Sequence, residues 1–148
     1  MMKPILAGIG SILLICGMLQ AQIAKVAPVV PEARHRVVVD LTTVLSDGWA
    51  QTLGNVEGLK QSFQEGVEIE VVVHGPAVSM LHGSDSDFAV RIRKLHEAGV
   101  HFVVGTSTLE MSNAKKEEMF PFVEFVPSAA AEIVRKQEAG WSYLKGGY

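Results

Sequence analysis

Two periodicities alternate along this chain from residue 36 onward. Short, nearly all-apolar runs rich in valine are separated by longer segments in which apolar residues recur every three or four positions. The first pattern is typical of strands covered on both faces, and the second of helices that bury one face. The pattern predicts strands at 37–41, 67–73, 100–104 and 123–126, with a short fifth strand at 141–144.

The first helical segment lies between the first two strands. Its apolar face is formed by Trp49, Leu53, Val56, Leu59 and Phe63. A loop is expected before it at 42–48, and Gly66 is placed to end it in a left-handed C-cap. In the strand that follows, Glu68 and Glu70 alternate with apolar residues, so this half of the strand is expected to reach toward solvent.

Two more helical segments separate the later strands. The first of them is capped by Ser86 or Asp87 and ends at Gly99. Its buried residues are Phe88, Ile92 and Leu95. The second is a broken helix at 109–120, interrupted near residues 112–113.

The order of these elements predicts the fold class. A last helix begins at residues 127–128 and turns Ile133 and Val134 inward. Strands that alternate with helices of this length run parallel and are joined by right-handed crossovers. The chain is therefore predicted to be an α/β protein, a three-layer α/β/α sandwich with a mostly parallel sheet of four to five strands.

Residues 1–24 have the pattern of a secretory signal peptide. Lys3 precedes an uncharged apolar core, and small residues follow it, with Ala21 and Ala24 as cleavage positions. The core is shorter than the roughly 20 residues of a membrane span, so cleavage is favoured over an uncleaved anchor. Lipidation is disfavoured, because Ile15 is bulky where lipidation signals have a small residue.

The domain plan follows from this leader. We expect a signal peptide at 1–24, a linker at 25–35 and one domain at 36–148, in a periplasmic or secreted protein that keeps no stable membrane span after cleavage. Removal of the leader leaves about 125 residues, enough for one domain with a core of its own. Loss of Lys3 changes the formal charge from −3 to about −4, and no basic stripe is present, so nucleic acid is not an expected partner.

The cysteine and histidine positions exclude several chemistries. The only cysteine, Cys16, lies in the leader, so the mature protein has no thiol for a disulfide, a nucleophile or a metal. His82, His96 and His101 lack the spacing of a ligand pair on one helix, and no metal site is expected. No dinucleotide or phosphate loop follows the first strand, and no cofactor is expected.

Polar residues follow the predicted strands at their carboxyl ends, where open parallel sheets bind ligands. Hydroxyls, glycines and a histidine there would suit a small polar or anionic ligand. The candidate ligand-binding residues are His74, Gly75, Gly105, Thr106, Ser107 and Thr108.

Each of these residues has an alternative structural role. Helix capping requires the same residue types, and it is the favoured role for Thr108 and Ser128. His74 is a candidate general base or ligand donor, or a rim histidine bonded to a backbone carbonyl. A hydrolase triad of Asp40, His74 and either Ser107 or Ser128 is disfavoured, because the chain has no G-x-S-x-G elbow. No residue is assigned as catalytic.

One set of apolar residues exceeds what the predicted core needs. We expect these residues to be exposed and to form a subunit interface. They are Met119, Phe120, Trp141, Tyr143 and Tyr148.

Five segments in this order resemble the DsrE/DsrF-like superfamily, a group of small α/β proteins associated with sulfur relay. The segments are LGNVEGL at 53–59, VVVHG at 71–75, GVHFVV at 99–104, PFVEFVPS at 121–128 and QEAGWSYL at 137–144. The resemblance covers residues 36–144. It implies a five-stranded parallel sheet and a homo-oligomer such as a trimer or hexamer.

The resemblance also implies, for active members, a cysteine just after the third strand that carries sulfur as a persulfide. In this sequence that position is Gly105, and no cysteine is nearby. The expected function is therefore an exported, oligomeric small-ligand-binding or accessory protein related to sulfur metabolism, without thiol chemistry. Two alternatives stay open: a sulfur-relay protein that acts through a partner's cysteine, and a purely structural assembly module.

Overall fold

The computed structural model describes residues 35–83 and 87–147. Five strands are present in this part: β1 (His35–Leu41), β2 (Val67–Val73), β3 (Val100–Gly105), β4 (Glu124–Val126) and β5 (Ser142–Gly146). The α-helices are α1 (Ser46–Phe63), α2 (Asp87–Glu97), α3 (Thr106–Ser112) and α4 (Ala129–Glu138). The expected signal peptide, Cys16, nearly all of the expected linker, the capping residue Ser86 and Tyr148 lie outside the described residues. No described helix has the length and hydropathy of a membrane span.

The five strands form one parallel sheet in the order β4-β3-β2-β1-β5. Strands β1 to β4 follow one another across the sheet in one direction. The chain then returns across the sheet and places β5 beside β1, at the opposite edge from β4. Because parallel crossovers are right-handed, the helices of the outward path lie on one face and α4 lies on the other. The predicted α/β/α sandwich is confirmed.

The two faces of the sheet are covered unequally. The larger core joins alternate strand residues to α1 and α2, with Leu53, Val56 and Ile92 fully buried. The other face has a small core of Val38, Val72, Ala129 and Trp141 beneath α4. Polar strand residues therefore fall on the α4 face, where one short helix leaves part of the sheet accessible.

The ends of α1 differ from the prediction. The helix begins at Ser46, inside the predicted loop, and a 3₁₀ turn at Gln64–Gly66 follows it. The residue with a positive φ at this end is Gln64, whose φ of 49° and ψ of −125° are not left-handed helical, and Gly66 has no positive φ, so the prediction of a left-handed cap at Gly66 was wrong. Phe63 is exposed and its ring contacts the His35 ring at a tilt, instead of joining the core.

The segments after β2 and β3 also differ from the prediction. Gly75–Leu81 forms a 3₁₀ helix that buries Met80 and Leu81, which the sequence pattern did not predict. The helix α3 begins at Thr106 rather than at residue 109. The predicted break is confirmed: Asn113 adopts φ 53° and ends α3, and a separate 3₁₀ turn follows at Lys116–Glu118.

Several burial predictions were wrong. Met119, Phe120 and Trp141 are buried within the domain, so they are not the exposed interface residues that we expected. Tyr143 is exposed, as expected. Val134 is 53% exposed, because the inward face of α4 carries Ile133 instead.

Glu70 is buried on the α4 face, contrary to the predicted solvent exposure. Only 6% of the residue is accessible. Its Oε2 lies 2.5 Å from Lys136 Nζ, while Oε1 has no hydrogen-bond partner among the described residues. Lys136 also lies over the Trp141 ring, with Nζ 4.1 Å from the centroid. Burial raises the pKa of Glu70 and outweighs the hydrogen bond and charge of Lys136.

A raised pKa means that burial penalises the charged form of Glu70. Its favourable contribution to folding is complete below the ordinary glutamate pKa and is lost as pH rises through the raised value. We therefore expect Glu70→Gln to gain stability relative to the wild type between about pH 4 and pH 7. Urea denaturation across this range measures the difference, with Glu68→Gln on the same strand as the control. Parallel pH profiles for Glu70→Gln and the wild type would refute the assignment.

Candidate functional site

The carboxyl ends of β1, β2 and β3 are adjacent in the sheet, so the residues after them meet at one edge. The His74 backbone N–H donates to the Leu41 carbonyl at 3.0 Å and extends the pairing of β1 with β2 by one residue. This bond fixes the backbone of His74 beside the end of β1. The histidine singled out from the sequence therefore has a defined position on the sheet.

Three side chains surround the Asp40 carboxylate. His74 Nε2 lies 2.7 Å from Asp40 Oδ1, and the Tyr143 hydroxyl donates to Oδ2 at 2.7 Å. Lys145 Nζ donates to the same Oδ2 at 3.2 Å and to the Thr42 hydroxyl at 3.2 Å. We call Asp40, His74, Tyr143 and Lys145 the Asp40 cluster.

Strand register explains the cluster. Asp40 on β1 pairs with Lys145 on β5, and Val38 pairs with Tyr143. Because strand side chains alternate between faces, Tyr143 and Lys145 lie on the same face as Asp40. Both partners are over 100 residues from Asp40 in sequence, so no local sequence motif contains all three residues.

The electrostatics of the cluster favour an ionised Asp40. Burial alone would raise the pKa of Asp40, but hydrogen bonds from Tyr143, His74 and Lys145 outweigh it and hold the pKa below its ordinary value. The hydrogen bond to Asp40 raises the pKa of Tyr143 to about 12. Tyr143 therefore stays a neutral donor at physiological pH, and Asp40 is a fixed acceptor.

The cluster leaves polar atoms that can contact a ligand. When His74 Nε2–H donates to Asp40, the other ring nitrogen, Nδ1, is a free acceptor, or a donor once the ring is protonated. An ammonium has three N–H donors, and Lys145 uses two in the bonds described. The side chains of His74 and Lys145 remain 28% and 41% exposed, whereas that of Asp40 is 13% exposed.

Three of the other predicted site residues line two separate cavities. Gly75 and Thr108 line a cavity of about 350 Å³ beside Pro76 and Met111. Thr106 lines a different cavity of about 250 Å³, and its hydroxyl donates to the Pro127 carbonyl at 3.4 Å. Ser107 is exposed. The structure therefore does not gather the turn after β3 and His74 into one closed pocket.

The two predicted helix caps have different outcomes. Ser128 caps α4, since its hydroxyl accepts the Ala131 N–H at 3.3 Å. Thr108 is instead a buried residue inside α3, whose N-cap is Gly105. The capping role that we favoured for Thr108 was wrong.

Gly105 is packed tightly against the start of α4. A Cβ built on it would lie 2.7 Å from the Ala129 backbone nitrogen and 3.2 Å from the Ala129 Cβ. Contacts below 3.0 Å to backbone atoms require the backbone to move. The position where relatives are expected to carry a cysteine thus has no space for any side chain in this protein.

The remaining histidines serve other contacts. His101 Nδ1 pairs with Glu124 at 2.7 Å across β3 and β4, and His96 stacks on Phe122. Within residues 35–83 and 87–147, no three histidine or acidic side chains group as metal ligands. The described hydrogen bonds join His74 to Asp40 and to no serine, so no triad is assembled there.

Comparisons with known proteins agree on the fold. A family model described as the DsrE/DsrF-like family matches residues 50–145. No curated protein matches the chain. A protein of unknown function, MTH1491 from Methanobacterium thermoautotrophicum, is 29% identical with a TM-score of 0.71, and the match covers 75% of this chain and 98% of that one.

Two further solved structures are similar in fold alone. BT1422 from Bacteroides thetaiotaomicron, a conserved protein of unknown function, is 12% identical with a TM-score of 0.62, covering 78% of this chain and 97% of that one. The ychN protein from E. coli is 14% identical with a TM-score of 0.59, covering 76% and 98%. At these identities the likeness concerns the path of the backbone and not the chemistry of the site.

Proposed function

The chain belongs to the DsrE/DsrF-like family, which is related to sulfur relay, and from this we propose that it is an exported member that binds a small anion without thiol chemistry of its own. The anion class that we propose is a sulfur oxyanion or sulfide. The proposal of export rests on the leader at 1–24, and the choice of sulfur anions rests on the family. The observation that carries the binding proposal is the Asp40 cluster at the carboxyl end of the sheet.

The cluster suits an anion because its exposed members are donors. Asp40 holds Lys145 and His74 in place through hydrogen bonds and is itself mostly covered. The third N–H of Lys145 then remains as a charged donor for an anion, and His74 Nδ1 becomes a second donor when the ring is protonated. Binding to this pair requires no cysteine, in keeping with the packed Gly105.

Calorimetric titration of the mature protein with thiosulfate, sulfite and sulfide tests the proposal. We expect the wild type to bind at least one of these anions, and His74→Gln or Lys145→Met to weaken binding about tenfold, the usual effect of losing a charge-assisted hydrogen bond. His101→Gln is the matched control, because His101 also pairs with a carboxylate at 2.7 Å. No binding by the wild type would reject the proposal.

Persulfide on purified mature protein after incubation with a sulfur donor would also contradict the proposal, since the protein would then carry sulfur itself.

We also propose that the protein assembles as a homo-oligomer, such as a trimer or hexamer. Val44, Leu45 and Met111 are exposed apolar residues that follow β1 and β3, near the carboxyl end of the sheet. Large exposed apolar side chains of this kind support the proposal of a protein interface. Sedimentation of the mature protein tests this, and a monomer at micromolar concentration would contradict it. In the sulfur-relay alternative, the cysteine would come from a different partner protein that binds here.

A further inference from the structure

A further cavity among the described residues lies away from the Asp40 cluster. Its volume is about 700 Å³, within the range of small-molecule sites. It is lined by the second half of α2, by residues 117–122 and by His82–Gly83. Because α2 leads into the start of β3 and residue 122 precedes β4, this cavity faces the amino ends of the strands.

Aromatic rings form an ordered row in this cavity. The Phe120 and Phe122 rings are stacked, with centroids 5.3 Å apart and planes within 5°. His96 continues the row on Phe122 at 4.1 Å and 7°. Arg93 covers the Phe120 ring, with its guanidinium carbon 5.1 Å from the centroid. The aromatic surface of this cavity therefore already contacts one cation, the Arg93 guanidinium.

The charged groups around this row are mostly acidic. Glu97, Glu117 and Glu118 line the cavity, against Arg93 as the one permanent cation. Glu118 Oε2 accepts a hydrogen bond from the Lys115 backbone N–H at 3.1 Å. Glu97 and Glu117 have neither an ion pair nor a hydrogen bond within the described part of the chain, and both are exposed. With neutral histidines the lining carries two excess negative charges.

These features select one ligand chemistry. A polyanion would meet the three carboxylates, and the described acidic and histidine side chains do not group as metal ligands. An ammonium group would instead form charge-assisted hydrogen bonds with the carboxylates of Glu97 and Glu117. An apolar body attached to it would contact Pro121, Phe122 and the nearly buried Met119.

We propose that this cavity is a second binding site, which takes an organic ammonium ion with an apolar or aromatic body. The ammonium pairs with Glu97 and Glu117, and the body lies against the Phe122 side of the aromatic row. The site is independent of the anion proposed for the Asp40 cluster, and it lies at the opposite end of the sheet.

Three ligands with one aromatic body and different head groups test the site: 2-phenylethylammonium, 2-phenylethanol and 3-phenylpropionate. Their binding to the mature protein is followed by the backbone amide resonances of Gly83, Glu97 and Phe122. We expect the ammonium to bind about tenfold more tightly than the carboxylate, with the alcohol between them. Replacing both acids, in Glu97→Gln/Glu117→Gln, should weaken the ammonium about tenfold.

The control is Glu138→Gln, which removes an exposed carboxylate at the end of α4 and should leave binding unchanged. Equal affinity for the ammonium and the carboxylate, no shift at these three amides, or full affinity in the double variant would each overturn the proposal. Because both replaced acids are exposed, the double variant is expected to fold as the wild type does.

Discussion

Replacing Gly105 by alanine is expected to destabilise the domain by about 2–3 kcal/mol, as overpacking of a tight site does. The new Cβ would lie 2.7 Å from the Ala129 backbone nitrogen, so α4 would have to move. That helix forms the small core with Val38, Val72 and Trp141, and its displacement would loosen the whole face. Gly105→Cys is expected to cost at least as much, because it adds sulfur to the same Cβ.

Urea denaturation of Gly105→Ala measures this cost, and Gly58→Ala is the matched control. Gly58 lies within α1, and a Cβ there would meet nothing within 4 Å. The control is therefore expected to stabilise the domain by up to about 1 kcal/mol, the difference in helix propensity. Unchanged stability in Gly105→Ala would show that the start of α4 can move at little cost. A cysteine could then be accepted at position 105.

Asp40→Ala is expected to destabilise the domain by about 2–4 kcal/mol and to abolish anion binding. The change leaves Lys145, Tyr143 and His74 without the carboxylate that holds them, and removing one partner of a largely covered ion pair carries a cost of this order. Glu124→Ala is the matched control, since Glu124 also pairs with a histidine at 2.7 Å but is exposed. The control is expected to lose less than about 1 kcal/mol.

The stability lost in Asp40→Ala should also depend on pH. The pKa of Asp40 is lowered by folding, so its contribution is complete above the ordinary aspartate value of about 4 and disappears as pH falls through the lowered value. The wild type and the variant should therefore converge in strong acid. A constant difference down to about pH 2 would contradict the role given to the charge of Asp40.

Local patterns were enough to predict the fold. Valine runs such as residues 71–73 are buried because parallel strands are covered on both faces, and crossover handedness then places the helices. Burial at Met119 and Phe120 was missed because it depends on distant contacts. His82 pairs with Met119, and the Phe120 N–H donates to the Leu81 carbonyl, so a segment that looks exposed beside Pro121 is tied to the core.

The site could be predicted only in part. His74 was identifiable from its place after a buried strand, but its partners were not. Asp40 interrupts the apolar run at 37–41, and Tyr143 and Lys145 alternate on β5, which together are the signal that was available. Joining them requires the strand order, in which β5 lies beside β1, and no spacing along the chain contains that information.

The proposed binding of a small anion to the Asp40 cluster is tested by an amide-resolved NMR titration of the protein without residues 1–24, with sulfite as the ligand. We predict saturable shifts at Thr42, His74, Gly75 and Lys145, with none of these shifts in Lys145→Met. Shifts confined to residues outside the cluster, or no saturable shift at all, would contradict anion binding at this site.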